Sequence, residues 1–272
     1  MKKLKIWGII TVLVVIVAVV AIGVIAYKTG EKPKNDILTL KTIVKTFENQ
    51  GVVLKEDGSK SPDEYEINGV NPVIFNIGEK KGTLLVYTFK SFVEREDIVN
   101  EGNKQFDFMA YPFNSKNAYL VYIASQNPET EAGMKSIHET YVSISDIVFK
   151  QLNDGKEIIY SGESTNWEGT FNLKYYEHWW EDETGKLRYE SYHDSSPLIK
   201  YKMPDITSVG TVNFEYETTA GGGSITGVKP NKEGYLEVGR SGGSGAIPSE
   251  NEEVTFKVNW NGKEETIILK VK

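Results

Sequence analysis

No part of this sequence limits the available folds more than residues 6–27, IWGIITVLVVIVAVVAIGVIAY, which carry no charge and, before Tyr27, one hydroxyl at Thr11. As an α-helix the stretch would be roughly 33 Å long, against a hydrocarbon core of about 30 Å. Trp7 and Tyr27 stand at its two ends, where amphipathic rings favour the membrane–water interface, and Lys2, Lys3 and Lys5 keep the N-terminus in the cytoplasm. The rival assignment is a cleaved signal peptide with Val24-Ile25-Ala26 as the cleavage site. Its apolar core would be far longer than the usual run of about 7–15 residues. The expected order is therefore a cytoplasmic stub (1–5), a transmembrane helix (6–27), a polar linker (28–35), and a body displayed outside the cytoplasm. The lipid bilayer is the first expected partner, through residues 6–27.

The formal net charge is −7. Lys2, Lys3, Lys5, Lys28, Lys32 and Lys34 crowd the N-terminus against Glu31 alone, so the remaining body is more acidic than the whole chain. An acidic body repels nucleic acid and anionic headgroups, so no nucleic-acid partner is expected. The chain has no cysteine, which excludes disulfides, thiolate metal sites and a cysteine nucleophile. It also excludes a lipid-modified cysteine as the anchor.

Within the body, Ile37, Leu40, Ile43, Val44 and Phe47 recur at helical spacing after Asp36, a good N-cap, and Gly51 supplies the stop. Short strands follow. Thr83–Phe89 and Ala118–Ala124 are nearly continuous apolar runs, the pattern of strands buried on both faces. Ser91 with Glu94 forms a capping box for a helix to about Glu101. A further helix is expected from about Met134 to Leu152, ending at Asn153-Asp154-Gly155. Residues 36–155 thus read as an α+β domain. From Lys156 onward strands dominate. Val254, Phe256, Val258 and Trp260 alternate with polar residues, and Asn261-Gly262 supplies a type I′ turn into Ile267, Leu269 and Val271. Seven or eight strands over 156–272 predict an all-β immunoglobulin-like sandwich without the disulfide.

Several short stretches carry a likeness. Val148-Phe149-Lys150-Gln151-Leu152-Asn153-Asp154-Gly155-Lys156, followed by Tyr160-Ser161-Gly162-Glu163-Ser164-Thr165-Asn166-Trp167, resembles a join in exported Bacillus-type proteins of unknown function. The ending Val258-Asn259-Trp260-Asn261-Gly262-Lys263-Glu264-Glu265 is similar to the end of their β domains, and Gly69-Val70-Asn71-Pro72 and Leu84–Arg95 resemble their N-terminal domain. The resemblance implies a Gram-positive envelope protein. It implies no activity and no catalytic residues.

Motifs of chemistry are sparse. Gly239-Arg240-Ser241-Gly242-Gly243 matches the serine-hydrolase elbow, but Gly-Ser-Gly-Ala-Ile-Pro cannot form the helix that must follow the serine. It reads as a loop, as does Gly221-Gly222-Gly223-Ser224, which lacks the lysine of a phosphate loop. His138, His178 and His193 show no zinc spacing. Glu181-Asp182-Glu183 reads as a solvated hairpin tip rather than a calcium loop. No cofactor and no metal are expected. In Tyr175-Tyr176-Glu177-His178-Trp179-Trp180 the odd positions continue the core face of Phe171 and Leu173, and Tyr176, His178 and Trp180 project together on the other face. A second layer such as the neighbouring domain covers them, or they join Tyr192 in an exposed aromatic patch that stacks on sugar rings or a partner protein. On the second alternative Tyr176, His178, Trp180 and Tyr192 are the candidate binding residues. The expected function is non-enzymatic binding of another envelope protein or a cell-wall glycan. The alternative is a wall-associated hydrolase using Ser241 or an acidic pair.

Overall fold

The computed structural model describes residues 37–78, 81–101, 106, 109–124, 130–236 and 238–272. Residues 37–178 and 189–272 form one compact unit, and the described part of a second unit is residues 179–188.

The first half is built on the two apolar runs. Helix α1 (Leu40–Asn49) precedes β1 (Leu54–Glu56), β2 (Val73–Ile77) and β3 (Gly82–Thr88), then come α2 (Phe92–Glu101), β4 (Ala110–Ser115), β5 (Ala118–Ala124) and α3 (Glu131–Ile147). The five strands form one antiparallel sheet in the order β1-β2-β3-β5-β4. The central strands β3 and β5 are buried on both faces because apolar layers lie on each side. Leu84, Val86, Leu120 and Tyr122 pack with Ile43, Phe47, Ile137 and Ile144 of α1 and α3. Leu85, Tyr87 and Val121 pack with Ile67, Ile74 and, from α2, Ile98 and Val99. The N-cap of α1 is Thr39, whose hydroxyl accepts from the Thr42 amide at 3.1 Å; Asp36 lies outside the described residues. Ser91 caps α2 by accepting from the Glu94 amide at 3.1 Å, and the Glu94 carboxylate reaches back to the Lys90 amide at 2.5 Å. Helix α3 ends in a π-helical turn, Val148–Leu152, stopped by Asp154 at φ 54.

The second half runs β6 (Lys156–Glu163), β7 (Trp167–Glu181), β8 (Leu187–Tyr201), β9 (Val212–Thr218), β10 (Gly221–Val228), β11 (Tyr235–Leu236), β12 (Ser241–Gly243), β13 (Val254–Trp260) and β14 (Lys263–Val271). These nine strands make one sheet, ordered β10-β9-β13-β14-β6-β7-β8-β11, with β12 also on β8. Its inner face holds a single core that includes Trp167, Phe171, Phe214, Phe256 and Leu269. The Phe214 and Phe256 rings meet edge to face at 4.8 Å. Asn261 (φ 46) and Gly262 (φ 70) make the tight turn between β13 and β14.

The fold class read from the sequence, a transmembrane helix followed by an α+β domain and an immunoglobulin-like sandwich, is therefore corrected. The chain is mostly β (47% strand), with three α-helices among the described residues. No helix among them is long and apolar enough to cross a membrane. The helix expected over 6–27 lies outside the described residues. In place of two packed sheets stands one nearly closed, barrel-like sheet. The physical reason lies in the joins. β13 pairs with both β9 and β14, and β14 pairs with β6, so no break divides the strands into two layers. Alternating apolar residues fit a curled sheet as well as a sandwich, because either buries one face of every strand.

The two glycine segments expected as loops are strands. Gly221-Gly222-Gly223-Ser224 starts β10, paired with β9. Ser241-Gly242-Gly243 is β12, paired with β8 at Ser195, Asp194 and His193. At Gly223 a Cβ would come within 2.7 Å of the Tyr216 ring, so the bare backbone lies on that ring.

The hairpin tip, residues 179–188, is organised by Asp182. Its carboxylate accepts from the Thr184 amide (3.0 Å), the Thr184 hydroxyl (2.6 Å) and the Lys186 amide (3.0 Å), and pairs with Arg188 Nε at 2.9 Å. Gly185 takes φ 79. The Thr184 and Lys186 hydrogen bonds, more than Arg188, hold the Asp182 carboxyl far below its ordinary value.

Candidate functional site

The alternation read along β7 holds from Trp167 to Tyr175, where the odd positions are buried in the barrel core. Beyond Tyr175 the buried side changes. His178 is 8% exposed and Trp180 3% exposed, while Trp179 is 50% exposed. The exposed patch of Tyr176, His178, Trp180 and Tyr192 does not form as such: two of the four are buried. A layer from the first half of the chain covers His178. Its Nε2 lies 3.1 Å from the Asn153 carbonyl, and the Phe92 ring meets it edge-on at 5.8 Å. Tyr176 stacks on His178 (5.0 Å, 23°) and on Tyr192 (5.7 Å, 24°), and Phe149 lies 6.2 Å from Tyr176. Phe92, His178, Tyr176 and Tyr192 thus form a continuous aromatic column. Its far end, Tyr192, is 40% exposed.

At the inner end of the column is a buried charge cluster. Arg95, from α2, donates from Nη2 to Glu190 Oε2 at 3.1 Å, and His178 Nδ1 lies 3.8 Å from the same oxygen. Burial alone pushes the Glu190 carboxyl up; His178 and the Arg95 guanidinium outweigh it and hold the group below its ordinary value. Arg95 Nη1 has no hydrogen-bond partner among the described residues. These groups join the two halves and are largely buried and paired, so the cluster reads as structural.

At the outer end the column opens into a cleft of about 570 Å³, within the range of small-ligand sites. Tyr176 and Tyr192 form one wall. Tyr141 of α3 and Phe113 of β4 form the other, with their rings stacked at 5.9 Å. Two ion pairs lie in its lining. Arg240 makes a two-pronged bond to Asp194, and Lys174 reaches Asp146 of α3 at 3.8 Å. Burial raises the Tyr192 phenol, with Asp194 and Tyr141 adding to it and Arg240 opposing. Its hydroxyl therefore stays protonated and able to donate. The bond from Arg240 to Asp194, and then the charge of Asp194, raise the guanidinium further.

Sequence reasoning missed most of this lining. Tyr141 and Asp146 of α3, Phe113 of β4, Asp194 of β8 and Arg240 before β12 come from four separate segments of the chain, and only the fold brings them together. Other candidates stand apart. Ser241 lines a small cavity of about 150 Å³ with His193 and Ser195. Ser195 spends its hydroxyl on the Ser241 carbonyl at 3.1 Å, and no helix follows Ser241. His138 is exposed on α3. No group of three His, Asp or Glu side chains among the described residues could hold a metal ion. No family model, curated protein or solved structure matches the chain.

Proposed function

We propose that the chain is a non-enzymatic binding protein held at the cell membrane through residues 6–27, its body outside the cytoplasm, and that its cleft takes part of another envelope protein or a cell-wall component. The apolar N-terminal run supports the address. The observation that carries the binding assignment is the cleft, where aromatic side chains from α3 and β4 meet others from β7 and β8 and half-exposed Tyr192 stands at the mouth. Aromatic faces with satisfied charges beside them suit recognition, because they offer contact area without an activated nucleophile. The hydrolase alternative needs a base poised on Ser241, and no hydrogen bond between Ser241 and His193 supports it.

A photo-reactive residue in place of Val142, an exposed residue lining the cleft, tests this on intact cells. The expected result is an adduct with envelope material that Tyr192→Ala abolishes. Adducts confined to cytoplasmic proteins, or none at all, would overturn the assignment.

A further inference from the structure

Resting on the cleft being the binding site, we infer that its occupant is a neutral pyranose oligosaccharide rather than a peptide or a charged polymer. Three features select among ligand chemistries.

The first is charge. The cleft holds Lys174 and Arg240 against Asp146 and Asp194, and each cation is already paired with an acid. A site for a phosphate-rich polymer would present unopposed cations, and one for a basic peptide unopposed carboxylates. Here neither sign is in excess. A two-pronged Asp–Arg pair still presents free N–H groups and carboxylate lone pairs at its edges. It serves a neutral polyol without having to break.

The second is ring geometry. Tyr176 and Tyr192 stack on each other with their planes 24° apart, which leaves the outer face of half-exposed Tyr192 free, and Tyr141 and Phe113 form a second stacked pair in the lining. Flat aromatic surfaces match the flat C–H faces of pyranose rings, and the Tyr192 hydroxyl adds a donor.

The third is the closed strand edge. β4 is the outer strand of its sheet and lines the cleft, so an extended peptide could add to it by backbone pairing. Two features block that. Pro112 has no N–H to offer, and the Asn114 carbonyl already accepts from Asn153 Nδ2 at 3.0 Å. The cheapest mode of peptide capture is thereby removed, while side-chain hydrogen bonding and stacking remain.

The test uses the full chain in phosphatidylcholine nanodiscs, which avoid sugar-headed detergents. It is titrated with chitotetraose, with cellotetraose, and with a short polylysine peptide. At least one neutral tetrasaccharide is expected to bind with Kd of about 1 mM or tighter, unaffected by added salt. Tyr192→Ala and Asp194→Asn should each weaken it by roughly tenfold or more, whereas Leu198→Ala, at an exposed residue outside the cleft, should not. Circular dichroism confirms that the variants fold. No binding of either tetrasaccharide, or binding indifferent to Tyr192→Ala, overturns the inference. Polylysine binding lost in Tyr192→Ala would overturn the sugar assignment while leaving the cleft as the binding site.

Discussion

Glu190 joins the two halves of the chain through Arg95. It neutralises Arg95, whose guanidinium is almost wholly buried, and it lies beside His178 on the covered face of β7. Removing one partner of a buried pair costs more than the pair contributes, because a charge stays behind without water. Glu190→Gln should therefore lower stability at pH 7 by about 3 kcal/mol, seen as a lower urea midpoint. The pH dependence has a definite sign. The carboxyl is held lower in the folded than in the unfolded chain. Its contribution is thus complete above the unfolded carboxylate value of about 4.3 and disappears as pH falls through the folded value. The gap between parent and variant should close in acid. A gap that persists or widens there would mean the pair is not the cause. Nothing in the sequence marked Glu190: it sits among exposed residues in a strand, and its partner is ninety-five residues away.

Two elements show where sequence patterning runs out. In β8 the residues Ser195-Ser196-Pro197 interrupt the strand pattern, so the sequence alone suggests separate strands over Leu187–Tyr192 and Ile199–Lys202. β8 is one strand. Pro197 is tolerated because it falls between the segment paired with β12 (His193–Ser195) and the segment paired with β11 (Ile199 and Lys200). The second case is Gly162 on β6, which faces Gly169 on β7. A Cβ on Gly169 would lie 2.8 Å from the Phe256 ring and 3.1 Å from Leu269. Side-chain-free positions let the sheet bend tightly over its own core. Gly169→Ala should cost about 1–3 kcal/mol by overpacking, measured by denaturant titration. Gly243→Ala, with nothing within 4 Å of its Cβ position, serves as the control and should be nearly neutral. Equal effects would remove packing at Phe256 as the explanation. Alternation told which residues share a face of β7, but not which face a second layer covers beyond Tyr175. That choice is made by α2 and by the π-helical turn after α3, far away in the sequence.

Across the whole molecule, the reporters divide by half. Among the described residues, the three α-helices end before residue 148 and every tryptophan lies past residue 166. In the body, residues 37–272, the urea-induced change in helical circular dichroism therefore follows the first half, and tryptophan fluorescence follows chiefly the second. The Arg95–Glu190 bond, the Phe92–His178 contact and the Asn153–His178 contact tie the halves together. The two signals should give one coincident urea transition. Separate midpoints would show that each half folds alone and that these ties contribute little. The organisation of the chain was legible where a local rule decides it, as at the Asn261-Gly262 turn and the doubly buried β3 and β5. The closure of the second sheet and the lining of the cleft were not, because both depend on pairings between residues distant in the chain.

The aromatic column has one more consequence. The chain contains only three histidines, so its imidazole proton spectrum is sparse, and the ring current of Tyr176 places the His178 resonance apart from the other two. Because Tyr176 in turn stacks on Tyr192, a molecule settling against that outer phenol tilts the stack and displaces a signal buried well behind it. If the cleft is the binding site, a ligand seated on Tyr192 should shift the His178 signal in a proton spectrum without any label.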